Sequence, residues 1–168
     1  MIGPIIHKLF KSTVYVEFSG EWISVKHVET GNIIEDKPIL AVKQNKKGKN
    51  IVHAVGSEVE QLQNDKTISI HNGFSHPRVC INDFEIAQAT LMHFVRKVLN
   101  KKILIRPIMI MHPKGDLRGG LSQIENRAMK ELATAAGAQK CYVWIGRPLR
   151  DIEMTSLNFP TQEDQTNY

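Results

Sequence analysis

Cysteine is scarce in this chain. There are two in 168 residues, Cys80 and Cys141, each isolated in an apolar context. That excludes a disulfide framework and points to buried thiols in a reduced, cytoplasmic protein. The seven histidines are scattered, with no i, i+4 pair and no cysteine partner, so no metal site is expected. Aromatic residues make up 7%. The basic residues fall in two separate places, Lys43, Lys46, Lys47 and Lys49 in one turn and Arg96, Lys97, Lys101, Lys102 and Arg106 around a helix end. Neither cluster is interleaved with aromatics as a stacking platform for single strands would be, so a net charge of +5 does not make the chain a nucleic-acid binder. The lysine turn reads as a solvated turn. No secretory signal, membrane-spanning run or internal repeat is visible. The glycine-rich stretch Pro113–Gly120 precedes a helix start, where an anion could sit, but it lacks the Gly-Lys-Ser/Thr ending of a phosphate-binding P-loop and reads as a flexible loop.

What is present is a strand, helix, strand unit over residues 103–145. Ile103–Met111 is an apolar run bounded by Pro113 and Gly115, too short for a bilayer and suited to a buried strand. Ser122-Gln123-Ile124-Glu125 is a capping box: the serine hydroxyl accepts from the third helical amide while Glu125 reaches back to the cap. Ile124, Ala128, Leu132 and Ala135 make a narrow apolar stripe, and Gly137 suits the left-handed position that ends a helix. Cys141–Ile145 resumes the strand pattern. A crossover of this length makes a right-handed parallel β-α-β unit whose strands need cover on both faces.

The rest of the chain supplies that cover within one domain, as 42% hydrophobic content allows. Ile2, Ile5, Ile6, Leu9 and Phe10 fall on one side of an amphipathic helix over residues 1–11, with Lys8 and Lys11 on the other. This helix either packs on the domain or lies in a membrane interface with its lysines near anionic headgroups. Val14, Val16 and Phe18 alternate with Tyr15 and Glu17; with runs at 22–28 and 33–34 they predict an antiparallel meander. Residues 38–42 and 51–55 predict a hairpin and 57–62 a short helix, within an insertion of about 36–80 whose later part, 64–80, is weakly patterned. Asn82 can cap a helix with Phe84, Ala87, Leu91, Phe94, Val95 and Val98 on its apolar face. The domain spans 12–152, and the polar tail 153–168 reads as disordered. The order β-β-β, small β-rich insertion, α, β, α, β predicts an α/β mixed sheet with helices on its faces, the ribonuclease H-like plan that underlies actin-type folds.

Over about residues 8–150 the sequence resembles the MreB family of rod-shape-determining bacterial actin homologues. The resemblance rests on Ile39–Val42 to Ala54-Val55-Gly56, on Ile81–Ile86 through His93–Val98, and on Ser122-Gln123-Ile124-Glu125-Asn126-Arg127-Ala128 through Ala135–Gln139. The last stretch is similar to the family's T-Q-V-E-R-R-A…A-G-A-R-E. It implies half of the actin fold, subdomains IA and IB, in an ATPase family.

The family's chemistry does not carry over. Its first phosphate loop, D-L-G-T-A-N-T, corresponds to Glu17-Phe18-Ser19-Gly20-Glu21-Trp22-Ile23. Glu17, Ser19 and Gly20 are the degenerate phosphate-loop positions; Phe18, Trp22 and Glu21 would crowd and repel a triphosphate. The family's E-E-P, which holds the catalytic glutamate, corresponds to Gly146-Arg147-Pro148. The resemblance therefore implies a non-catalytic, cytoplasmic cell-shape protein with no cofactor, peripheral to the inner face of the membrane, that associates with an MreB-type filament or with itself. Asn126, Arg127, Lys130 and Thr134, on the outer side of the helix matching the family's protofilament contact, are the candidate interface, against the plainer reading of a solvated helix face. The rival expectation is an ATP- and magnesium-binding ATPase fragment completed by a partner chain.

Overall fold

The structure, a computed structural model, describes residues 11–62, 64–100, 105–115 and 117–160. Period-two alternation gives β1 (Thr13–Phe18), β2 (Ile23–His27) and β3 (Ile33–Asp36) as the expected antiparallel meander. The chain then leaves for the second sheet, β4 (Ile39–Gln44), β5 (Asn50–Val55) and β6 (Ile68–Asn72), with the 3-10 segment Gly56–Leu62 between the last two. It returns through α1 (Phe84–Val98), β7 (Ile108–Pro113), α2 (Gln123–Ala135) and β8 (Lys140–Val143), and ends on α3 (Asp151–Ser156). The main sheet has the order β3-β2-β1-β7-β8, with β1, β7 and β8 parallel, and the small sheet the order β5-β4-β6. This is the mixed sheet with a β-rich insertion that the alternation and capping signals predict.

Several details differ. The run 103–111 is not one strand: 101–104 lie outside the described residues, Arg106 turns aside to bond the Gly137 and Ala138 carbonyls, and β7 starts at Ile108. Residues 64–80 hide a strand, β6, an outer strand of the small sheet whose side chains are mostly exposed. The cap of α1 is not Asn82 but the next residue, Asp83, whose carboxylate accepts from the Ile86 amide. Phe84, expected on the buried face, is 38% exposed. The Ser122–Glu125 capping box forms as expected, but α2 is rotated: Met129, Leu132, Ala133 and Ala136 are buried, while Ile124 is 81% exposed and Ala135 also faces out. Gly137 takes φ 113°, and the Ala138 amide reaches back to the Ala133 carbonyl, a Schellman ending.

One face of the main sheet (Val14, Val16, Phe18, Met109, Met111) packs on Leu91, Phe94 and Val95 of α1 and Met129 and Leu132 of α2. The other face (Tyr15, Ile110, Trp144) is covered by Leu149, Met154, Leu157 and Phe159. The expected disordered tail from 153 is corrected here: residues 153–160 are ordered on the sheet. Phe159 lies 5.4 Å from the Tyr142 ring and 5.9 Å from Trp144, contacts that a polar average composition conceals. Residues 161–168 lie outside the described residues.

Candidate functional site

A cavity of about 720 Å³ opens where β1 and β7 end side by side. Its walls come from the β1–β2 turn (Phe18–Trp22), the loop at 74–80 after β6, and the loop at 114–120 that leads to α2. Parallel strands create such a crevice at their carboxyl ends because the chain must leave there in different directions.

The three walls are held by specific contacts. Phe18 and Phe74 place their rings 5.1 Å apart. The Asn72 amide donates to the Gly20 carbonyl at 2.8 Å, and a Cβ on Gly20 would meet the Ser75 Cα at 3.1 Å. The Lys114 amide donates to the Phe18 carbonyl at 2.7 Å. Gly20 is therefore a point of close backbone approach between the loop and the turn.

The turn itself is closed on its own polar groups. The Ser19 hydroxyl accepts from the amides of Glu21 (3.2 Å) and Trp22 (3.3 Å), and the Ser19 amide donates to the Trp22 carbonyl at 2.9 Å. Three amides that an anion would seek are thus occupied. Trp22, 38% exposed, and Glu21 line the cavity beside them.

Glu17 lies below the turn, on the sheet face opposite α1 and α2. Its carboxylate Oε1 lies 2.9 Å from Lys114 Nζ and 3.4 Å from His112 Nδ1. The strand register sets Glu17 directly against His112. His112 is 1% exposed; the Tyr15 hydroxyl bonds its Nδ1, and its Nε2–H donates to the Gly146 carbonyl at 3.0 Å, which fixes the neutral tautomer. Burial, with the Lys114 ammonium nearby, pushes the His112 pKa down to about 4 despite Glu17. Burial and the Glu17 charge push the Tyr15 phenol up, so it stays a donor.

Gly146-Arg147-Pro148 is tied into this network. The Arg147 guanidinium bonds both oxygens of Glu153, at 2.5 and 3.0 Å, and the Trp144 indole donates to the Arg147 carbonyl. The Arg150 guanidinium and amide also bond Glu153, and these arginine contacts hold its carboxyl well below the usual range.

Other chemistry has little to work with. Cys80 lines the cavity, but burial pushes its thiol up to about 11; burial likewise pushes Cys141 up to about 12. Both stay protonated and weakly nucleophilic near neutrality. Among the described residues no group of three or more His, Cys, Asp or Glu side chains is placed to hold a metal ion.

Among the remaining sequence-predicted residues, Arg127, Lys130 and Thr134 are exposed on α2 and Asn126 is half-buried; Arg127 pairs with Glu131 at 2.8 Å. Asn126, Arg127 and Lys130 line a shallow groove of about 400 Å³ at the start of α2. Ile2, Ile5, Ile6, Lys8, Leu9 and Phe10 lie outside the described residues, while Lys11 bonds the Thr155 carbonyl on α3. No described helix is long and apolar enough to cross a membrane. His112 and Lys114 carry no sequence signal for this place, because only cross-strand register brings them to Glu17, whereas Tyr15 shares its strand face.

The chain was compared with known proteins. The family described as MreB/Mbl protein matches residues 18–148. The cell shape-determining protein MreB of Haemophilus influenzae is 27% identical over 148 residues, which span 85% of this chain and 40% of that protein. MreB5 of Spiroplasma citri bound to ADP superposes with a TM-score of 0.60 at 18% identity, over 80% of this chain and 38% of that one. A MamK double helical filament superposes at 0.55 with 14% identity, over 80% of this chain and 40% of that one. The fold is thus actin-like, and the chain spans about two fifths of the length of these relatives.

Proposed function

The chain belongs to the MreB/Mbl family, and we propose that it is a non-catalytic member that associates with an actin-like filament, or with copies of itself, in determining cell shape. The observation that carries this reading is the state of the cleft. Its turn amides are already bonded to Ser19 and Trp22, and below the turn, on the other sheet face, Glu17 is already paired with Lys114. Phosphoryl transfer needs positioned donors, a metal and a group that orients water together. Here Arg147 stands where the resemblance places a catalytic carboxylate, and Glu153 holds its guanidinium.

Association is supported by the outer side of α2, where Arg127, Lys130 and Thr134 face solvent beside an exposed Ile124. Ile124 stands one turn before Arg127 on that helix, so a partner laid there would cover an aliphatic contact together with the charged ones. The Haemophilus relative is named for cell shape, and the MamK relative was solved as a filament. The apolar stripe in residues 1–11 supports a peripheral place on the membrane, and vesicle sedimentation with and without those residues tests it; equal binding of both forms would remove that part.

Calorimetric titration with Mg-ATP, alone and with an MreB-type filament protein present, tests the central reading. The expected result is no nucleotide heat from the chain alone and none beyond the filament protein's own when both are present, together with co-sedimentation on filaments that Lys130→Glu and Ile124→Ser weaken. ATP turnover above that of the filament protein alone would instead establish a shared ATPase site.

A further inference from the structure

The distal half of the β4–β5 hairpin stands clear of the body: Ile51, Val52 and His53 are all exposed, Ile51 at 43% and Val52 at 50%. The turn that joins the strands is rigid. The Asn45 side chain accepts from the amides of Lys47 (2.9 Å) and Lys49 (3.0 Å), and the Asn45 amide donates to the Lys49 carbonyl at 2.9 Å. Gly48 takes φ +75° to close it. Lys46, Lys47 and Lys49 are therefore held together at the tip, all exposed.

The neighbouring acids are committed elsewhere. Asp65 pairs with Lys43 at 3.5 Å and accepts from Thr67, and Glu60 pairs with Lys37. Among the described residues no ion pair reaches Lys46, Lys47 or Lys49. Register sets Ile51 and Ile68 on either side of Lys43, so the aliphatic side chains begin within one strand position of the lysine turn.

We propose that this hairpin tip is a docking surface for an anionic phospholipid bilayer, with Lys46, Lys47 and Lys49 at the headgroups and Ile51 and Ile70, which the register puts on one face of the small sheet, in the acyl boundary. Three lysines on a fixed turn match a diffuse negative surface, and exposed aliphatics beside them match its apolar margin. A nucleic acid would instead call for aromatic faces or arginine forks, and the tip has neither. The proposal rests neither on the filament reading nor on residues 1–11.

The test is sedimentation of the full chain with phosphatidylcholine vesicles, with and without phosphatidylglycerol, at low and high salt. The wild-type chain is expected to bind only the phosphatidylglycerol vesicles. Lys46→Gln/Lys47→Gln/Lys49→Gln should weaken that binding roughly a hundredfold, about fivefold per lysine. Ile51→Ser/Ile70→Ser should weaken it roughly tenfold and leave a more salt-sensitive remainder. All five positions are exposed, and circular dichroism is the check that the variants fold. A parallel variant, Ile5→Ser/Ile6→Ser, separates the two membrane contacts. Loss of binding there with the tip variants at wild-type strength overturns the proposal and leaves the N-terminal reading intact. Failure of the wild-type chain to bind either vesicle, or tip-dependent binding to soluble polyglutamate without vesicle binding, also overturns it, the latter in favour of an acidic protein partner.

Discussion

The Glu17 carboxylate sits 2.9 Å from the Lys114 ammonium, a pair that joins the ends of two parallel strands ninety-odd positions apart in the chain. Both side chains are partly buried, 20% and 25% exposed. The pair commits the carboxylate below the β1–β2 turn to the protein's own cation. It also keeps the loop after β7 against the β1–β2 turn, together with the amide of Lys114 on the Phe18 carbonyl.

Lys114→Met tests that pair. It leaves Glu17 facing His112 without its ammonium, and the expected cost is about 1 kcal/mol of folding stability. Urea denaturation at low and high salt reads it, and the difference between wild type and variant should shrink as salt rises.

Acid should unfold the protein partly through His112. Its pKa is about 4 when folded and near its ordinary 6.5 when unfolded, so between those values the unfolded chain binds the extra proton. Stability is therefore full above 6.5 and falls as pH drops toward 4, by on the order of 3 kcal/mol. Burial lowers His27 and His93 in the same direction. Thermal melts from pH 7 to pH 4.5 should show the loss, and His112→Gln should flatten the slope while lowering the plateau.

Gly73→Ala should be among the costliest small changes. A Cβ there would come within 2.4 Å of the Ala87 amide nitrogen and 2.7 Å of the Asp83 carbonyl, both backbone, so relief requires moving the start of α1. Gly73 has no positive φ, which makes the effect steric rather than conformational. A loss of about 1–3 kcal/mol in urea is expected.

Glu153→Gln should loosen the cover over the far face of the sheet. Its carboxylate accepts from Arg147 and Arg150, and removing the charge should cost about 2 kcal/mol. In a Trp22→Phe background, the emission of Trp144, which packs among Tyr15, Leu149 and Phe159, should shift to the red.

The architecture was largely legible because its signals are local. Alternation at Val14, Val16 and Phe18, the capping box at Ser122 and the stop at Gly137 each declare an element within a few residues. The small sheet was half legible: β6 is short, outer and exposed, so Ile68 and Ile70 lack a buried partner strand on one side to enforce a pattern. The order at 153–160 was missed because Met154, Leu157 and Phe159 are three apolar residues in a polar stretch. For the cleft, the motif located Glu17, Ser19 and Gly20, but not what occupies them. Tyr15 shares a strand face with Glu17 by alternation, but His112 and Lys114 reach Glu17 only through the pairing of β1 with β7, and no short-range pattern encodes that register.

The seat of Gly73 on α1 has a mechanical consequence. The small sheet meets the rest at closely fitted points: Gly73 against Ala87, Asn72 on the Gly20 carbonyl, and Asp36 on the Ser57 amide at 2.7 Å. It behaves as an outrigger bolted to the hull rather than a flag on a hinge. The lysine tip is thereby joined, through β4 and its neighbour β6, to the rim of the crevice at Gly20 and Phe74.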